Sequence, residues 1–169
     1  MSRWREPRKK SAPYISPAGY MELESELKSL WQRRAEVTRA LSAAAAEGDR
    51  SENAEYIYRK KELRGIDSRI GYLQRRMPEL KVVSSVENTE RVYFGACVSL
   101  EDEEGTVYDY RILGADELDS ASNVISIDSP LARALLGKSC DDEISVRVGE
   151  KDKLYQLLEI HYPQAEDDA

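Results

Sequence analysis

The chain has 169 residues, a length that holds one or two domains, with 34% charged residues, 8% aromatic residues and a net charge of −7. No run of about 18 apolar residues occurs, so no membrane-spanning helix is expected, and the acidic balance argues against simple wrapping of nucleic acid. Cys97 and Cys140 stand far apart without a Cys-x-x-Cys spacing, which argues against a disulfide framework and a zinc finger and leaves two buried thiols in a cytoplasmic protein as the expectation.

Residues 1–13 carry Arg3, Arg5, Arg8, Lys9 and Lys10, include Pro7 and Pro13, and show no apolar period; a disordered basic extension is expected. No apolar stretch follows these charges, so they do not read as a secretory signal. Ser16-Pro17 reads as a helix start, an N-cap serine followed by proline at the first helical position. Leu23, Leu27, Leu30, Arg34, Val37, Leu41 and Ala44 then recur in steps of four and three, the seam of a coiled coil. Gly48 breaks this helix. A second seam follows in Tyr56, Arg59, Leu63, Ile66, Ile70, Leu73, Met77 and Leu80. A connection this short returns the chain antiparallel, predicting a hairpin over 14–84. Roughly 30 residues per helix at about 1.5 Å each give a rod of about 45 Å.

Beyond Pro78 the period changes from helical to alternating. Residues 91–100 read as a strand, joined by an acidic turn ending at Gly105 to a second strand over 106–113. A third covers 124–127. Asp128-Ser129-Pro130 opens a short helix closed by Gly137, and strands over 143–148 and 154–160 complete the pattern. The expected fold class is α+β: the helical hairpin, then a small globular domain over 85–163, then an acidic tail over 164–169. The lone His161 has no visible partner to orient it and is not expected to act as a catalytic base.

Asp49 and Glu52 fall where the hairpin turns around. Carboxylates at an exposed turn are poor core material and good ligands for hard cations such as Mg²⁺. The same Asp-x-x-Glu spacing fits a capping box, with Asp49 as N-cap and Glu52 at the third helical position, so the spacing alone leaves both roles open. Along the second helix, Arg59, Lys60, Lys61, Arg64 and Arg69 outnumber Glu62 and Asp67, a basic face suited to RNA phosphates or, more simply, to solvated i,i+4 pairing.

Three segments carry a resemblance. The tip Gly48-Asp49-Arg50-Ser51-Glu52-Asn53-Ala54-Glu55-Tyr56, the stretch Tyr93-Phe94-Gly95-Ala96 and the run Ile125-Ser126-Ile127-Asp128-Ser129-Pro130-Leu131-Ala132-Arg133-Ala134-Leu135-Leu136 together resemble the Gre family of bacterial transcript cleavage factors, the GreB branch more than the GreA branch. The resemblance covers about residues 14 to 162. It implies an FKBP-like globular domain without isomerase activity, and a hairpin that enters the secondary channel of RNA polymerase when the enzyme has backtracked. Asp49 and Glu52 would then assist the polymerase's own hydrolysis of the extruded RNA, sharing its second Mg²⁺; the protein would be no enzyme itself and bring no cofactor. Arg59, Lys60, Lys61, Arg64 and Arg69 would face the RNA. Asp128, Ser129 and Pro130 would touch the polymerase, although the same turn reads equally as a helix N-cap. The implied partners are bacterial RNA polymerase and the nascent RNA 3′ end, with no membrane, a monomeric state and a cytoplasmic location. A non-cleaving channel regulator and, more weakly, a prolyl isomerase are the competing readings.

Overall fold

The structure, a computed structural model, describes residues 9–48, 52–118 and 123–163. They fall into two units, one formed by the stretch up to residue 17 together with 81 onward, the other by 18–80. Residues 1–8 and the acidic tail over 164–169 lie outside the described residues.

The helical unit holds α1 (Pro17–Ala46) and α2 (Ala54–Arg76), followed by a 3₁₀ turn over Met77–Glu79. Their seam is the one the heptads predict. Val37, Ile66 and Ile70 are buried together, with Leu27, Leu30 and Leu63 packed against them. At 23 residues α2 is shorter than the roughly 30 expected. It starts late because its cap is Asn53, and it ends early because Pro78 has no N–H to extend the ladder. Both arginines that interrupt the seams are used in ion pairs: Arg34 meets Asp67 across the hairpin at 2.6 Å, and Arg59 meets Glu55 and Glu62 along α2.

The other unit is a five-stranded mixed sheet built from β3 (Cys97–Asp102), β4 (Val107–Leu113), β5 (Val124–Ser126), β6 (Glu143–Val148) and β7 (Lys151–His161), in the order β5-β4-β3-β7-β6. Only the β4–β5 pair is parallel. A helix, α3 (Pro130–Leu135), covers one face. Its Ala132 and Leu135 share a core with Val98, Leu100, Ile112, Ile144, Val146 and Leu157. Alternation along β3 sends Cys97, Ser99 and Glu101 to the opposite face. For that reason Cys97 is only half-buried, and Cys140, just ahead of β6, is exposed; the expectation of two buried thiols does not hold. Residues 91–96 are not strand either. Arg91 makes only an isolated bridge to Ser139, Gly95 turns the chain with a φ of +87°, a conformation open to glycine, and the β3 ladder begins at Cys97.

Two short strands escaped the sequence reading: β1 (Tyr14–Ile15) and β2 (Lys81–Val82), which pair in parallel. The N–H of Lys81 donates to Pro13 O at 2.6 Å and that of Val83 to Ile15 O at 2.9 Å. The Ala12 N–H donates to Asp128 Oδ2 at 2.9 Å. Ala12 and Pro13, expected to belong to a disordered extension, are therefore tied into the sheet unit. The helix start at Pro17 is as expected, but the hydroxyl of Ser16 donates to Glu117 Oε1. The same oxygen takes the Ser16 N–H at 3.1 Å, and Glu117 Oε2 takes the Gly114 N–H at 3.0 Å.

Gly114 is required here for space. A Cβ on it would lie 2.1 Å from the carbonyl oxygen of Tyr14. The expected result for Gly114→Ala is a loss of about 1–3 kcal/mol from the sheet unit, since backbone must move aside. Gly65, inside α2 with nothing within 4 Å of its Cβ position, gives the opposite sign. Gly65→Ala should add up to about 1 kcal/mol to the hairpin from helix propensity. Thermal unfolding of the two variants against wild type checks both.

Candidate functional site at the hairpin turn

The first helix runs out through Ala43, Ala44, Ala45 and Ala46, and Gly48 leaves it with a φ of +132°. The chain is described again from Glu52; Asp49, Arg50 and Ser51 lie outside the described residues. Asn53 precedes α2 in extended backbone, and its Oδ1 accepts the Tyr56 N–H at 3.1 Å. That is the N-cap of α2, so the cap proposed for Asp49 and the third-position role proposed for Glu52 belong to other residues. Glu52 stands in the turn ahead of the cap. Its side chain is exposed and enters no ion pair or hydrogen bond among the described residues. Asn53 also donates through Nδ2 to the carbonyl of Ala44, 2.9 Å away at the end of α1. Sequence reading passed over Asn53, although a cap-type residue directly before the second apolar period was the available signal.

Charge along α2 divides into two sets. Arg59 is held by Glu55 at 2.7 Å and by Glu62 at 3.0 Å. Arg69 forks the carboxylate of Glu26 on α1 with bonds of 2.6 and 2.8 Å. Glu62, adjacent to Lys61 in sequence, serves instead Arg33 of α1 at 2.6 Å and Arg59. The Arg33 guanidinium holds Glu62 below the ordinary glutamate range, with Arg59 adding to the effect, and Arg69 does the same for Glu26. Lys60, Lys61 and Arg64 make the second set. They are exposed and enter no ion pair among the described residues; the Lys60 ammonium lies 5.8 Å from the Tyr56 ring. Lys61 and Arg64 share the helix face that also carries the exposed Ile57, opposite the buried Ile66 and Ile70.

In the sheet unit, Ser129 caps α3, its Oγ accepting the Ala132 N–H at 3.2 Å. Asp128 spends its carboxylate on Ala12 and its N–H on Ser126 Oγ at 3.1 Å. Pro130 is exposed at the first helical position. The turn is thus a working helix cap, and Pro130 is the member of the three most open to a partner. No group of three or more His, Cys, Asp or Glu side chains among the described residues is placed to hold a metal ion. No helix among them is long and apolar enough to cross a membrane.

The described residues thus make a two-helix coiled coil with an acid exposed at its turn, and a small mixed sheet. Residues 13–82 match the family described as Transcription elongation factor, N-terminal, and residues 87–162 match Transcription elongation factor, GreA/GreB, C-term. Transcription elongation factor GreB of Pseudomonas aeruginosa is 56% identical over 167 residues, covering 98% of this chain and 99% of its own. Transcription elongation factor GreB of Xanthomonas axonopodis pv. citri is 51% identical over 165 residues, covering 96% and 98%. Among solved structures, GreA factor homolog 1 of Thermus thermophilus is 24% identical, covering 88% of this chain and 97% of that one, with a TM-score of 0.41. The chain belongs to the GreA/GreB family of transcription elongation factors.

Proposed function

We propose that this chain rescues backtracked bacterial RNA polymerase by carrying the acids of its hairpin turn through the secondary channel to the polymerase active site, where the extruded 3′ RNA is hydrolysed. The observation that carries this reading is Glu52. It is exposed at the turn and engaged by no protein cation among the described residues, while Asn53 does the capping that would otherwise explain an acid there. A carboxylate left free in this way is available to a hard cation or to a water.

In phosphodiester hydrolysis, Mg²⁺ at the polymerase centre supplies charge stabilisation and an activated water. Asp49 and Glu52 fit as extra oxygen ligands or water-orienting groups; the ion belongs to the polymerase, and this chain contributes carboxylates. Lys60, Lys61 and Arg64, engaged by no acid among the described residues, are the members of the basic set fitted to RNA phosphates, whereas Arg59 and Arg69 have carboxylate partners within the protein. The turn Asp128-Ser129-Pro130, with Pro130 outermost, contacts the polymerase. The protein acts as a monomer in the compartment of its polymerase, the cytoplasm.

The test is incubation of the protein with a stalled, backtracked elongation complex of bacterial RNA polymerase and Mg²⁺, followed by a gel of the RNA. Shortening of the transcript with release of 3′ fragments is the expected result. Binding with no shortening would leave a non-cleaving channel regulator in its place.

A further inference from the structure

We propose that Asn53 is a positioning residue for the reaction: its side-chain amide ties the two ends of the turn together and so limits where the acids of that turn are presented. This rests on the reading that Asp49 and Glu52 act at the polymerase centre.

Ala44 is a buried seam residue at the end of α1, 4% exposed, so its carbonyl is a fixed point. Asn53 joins that carbonyl to the first turn of α2, donating from Nδ2 at 2.9 Å while Oδ1 accepts the Tyr56 N–H at 3.1 Å. The partners settle the amide's orientation. A backbone N–H can only donate and a backbone carbonyl can only accept, so the oxygen faces Tyr56 and the nitrogen faces Ala44. A second bond runs from the Glu47 N–H to the same carbonyl at 3.3 Å, so Ala44 O gathers both sides of the turn.

An ordinary N-cap needs only the acceptor. Serine, threonine and aspartate supply it as well as asparagine does. The bond to Ala44 needs a donor on the same short side chain, and of those four residue types only asparagine has an amino group facing away from its acceptor. The extra donor therefore does something capping does not require. It fixes Asn53 to the last turn of α1, and Glu52 is the residue next to the clasp. Fixing Asn53 there removes conformations before the acids meet the polymerase, and misplacement of a reacting group by about 1 Å is enough to cost about a hundred-fold in rate.

The experiment uses the full chain and four variants: Asn53→Ser, Asn53→Asp, Asp49→Asn and Glu52→Gln. Each is titrated against a backtracked elongation complex at constant Mg²⁺, reading the cleavage rate at saturation and the concentration giving half of it. Asn53→Asp keeps the cap acceptor and has no donor, and Asn53→Ser keeps the cap acceptor on a side chain one bond shorter, which draws its single O–H back from the Ala44 carbonyl that Nδ2 reaches. Both should cleave at saturation about ten- to a hundred-fold more slowly, with the half-saturating concentration within about two-fold of wild type. Amide hydrogen exchange over 45–52 should quicken in both, because the clasp no longer holds Asn53 to α1. A residue that merely capped the helix would leave the saturated rate of these variants unchanged, and the neutral serine separates loss of the donor from the charge that aspartate adds. Wild-type saturated rates in both Asn53 variants, with Asp49→Asn and Glu52→Gln impaired, would overturn the positioning role and leave the acids in place. A change confined to the half-saturating concentration would overturn it as well. Wild-type rates in Asp49→Asn and Glu52→Gln would overturn this proposal together with the function on which it rests.

Discussion

Asp49→Asn and Glu52→Gln should each lower stimulated RNA cleavage at saturation by about a hundred-fold, the scale seen when one preorganised electrostatic group is removed from a reaction centre. Each substitution keeps the shape and the hydrogen-bonding reach of the side chain and removes the negative charge. An acid that only shaped the turn would tolerate it. The half-saturating concentration should stay near wild type, because a group that acts on the transition state contributes little to docking. Capping no longer offers an alternative account of a loss, since α2 is capped by Asn53. Full activity in both variants at saturation, measured by release of 3′ fragments, would remove the acids from the chemistry.

Reversing Lys60, Lys61 and Arg64 together to Glu is the second large change. On complexes backtracked by many nucleotides the stimulated cleavage should fall more than ten-fold, roughly, with a much smaller loss on complexes backtracked by one or two, since only long extruded RNA offers phosphates along the helix. Salt supplies the check. Single-stranded contacts contribute a slope of about −0.7 per neutralised phosphate, so losing three should make the salt dependence of action on deep complexes shallower by roughly 2. Arg59 and Arg69 form the comparison. Their guanidiniums are engaged by Glu55, Glu62 and Glu26, and replacing them should loosen the hairpin before it changes the salt slope. Equal losses on deep and shallow complexes would argue that the charges serve the fold or the polymerase and not the RNA.

The parts of the fold that a sequence can show are those whose causes lie within a few residues of each other. Steps of three and four from Leu23 to Ala44 and from Leu63 to Leu73 were enough for the hairpin, because a heptad seam encodes its own partner surface. The short helix after Ser129 was legible for the same reason, a local cap followed by proline. The clasp between Asn53 and Ala44 was not, since a linear pattern can mark Asn53 as a cap-type residue but cannot say which carbonyl its amide nitrogen will choose. That choice depends on where α1 presents its last carbonyls. Glu117 was hidden in the same way: its ligands Ser16 and Gly114 include one about a hundred positions away in the chain. The thiols misled because a missing Cys-x-x-Cys spacing says nothing of burial, which depends on the face of β3 that α3 covers for Cys97 and on the connection ahead of β6 for Cys140.

The parallel pairing of β1 with β2 has a consequence for how this molecule is allowed to change. Parallel neighbours cannot be joined by a tight turn and need a long crossover, and here the crossover is the whole of residues 18–80. Entry and exit of that excursion are pinned side by side, Tyr14 against Lys81 and Ile15 against Val82. A heptad added to α1 alone would have no seam opposite it and no slack at the exit to absorb it. Only insertions or deletions matched on both arms, equidistant from the turn, keep every seam residue paired. The length of the hairpin is therefore a stepped quantity, altered in whole double turns on both helices of the excursion at once.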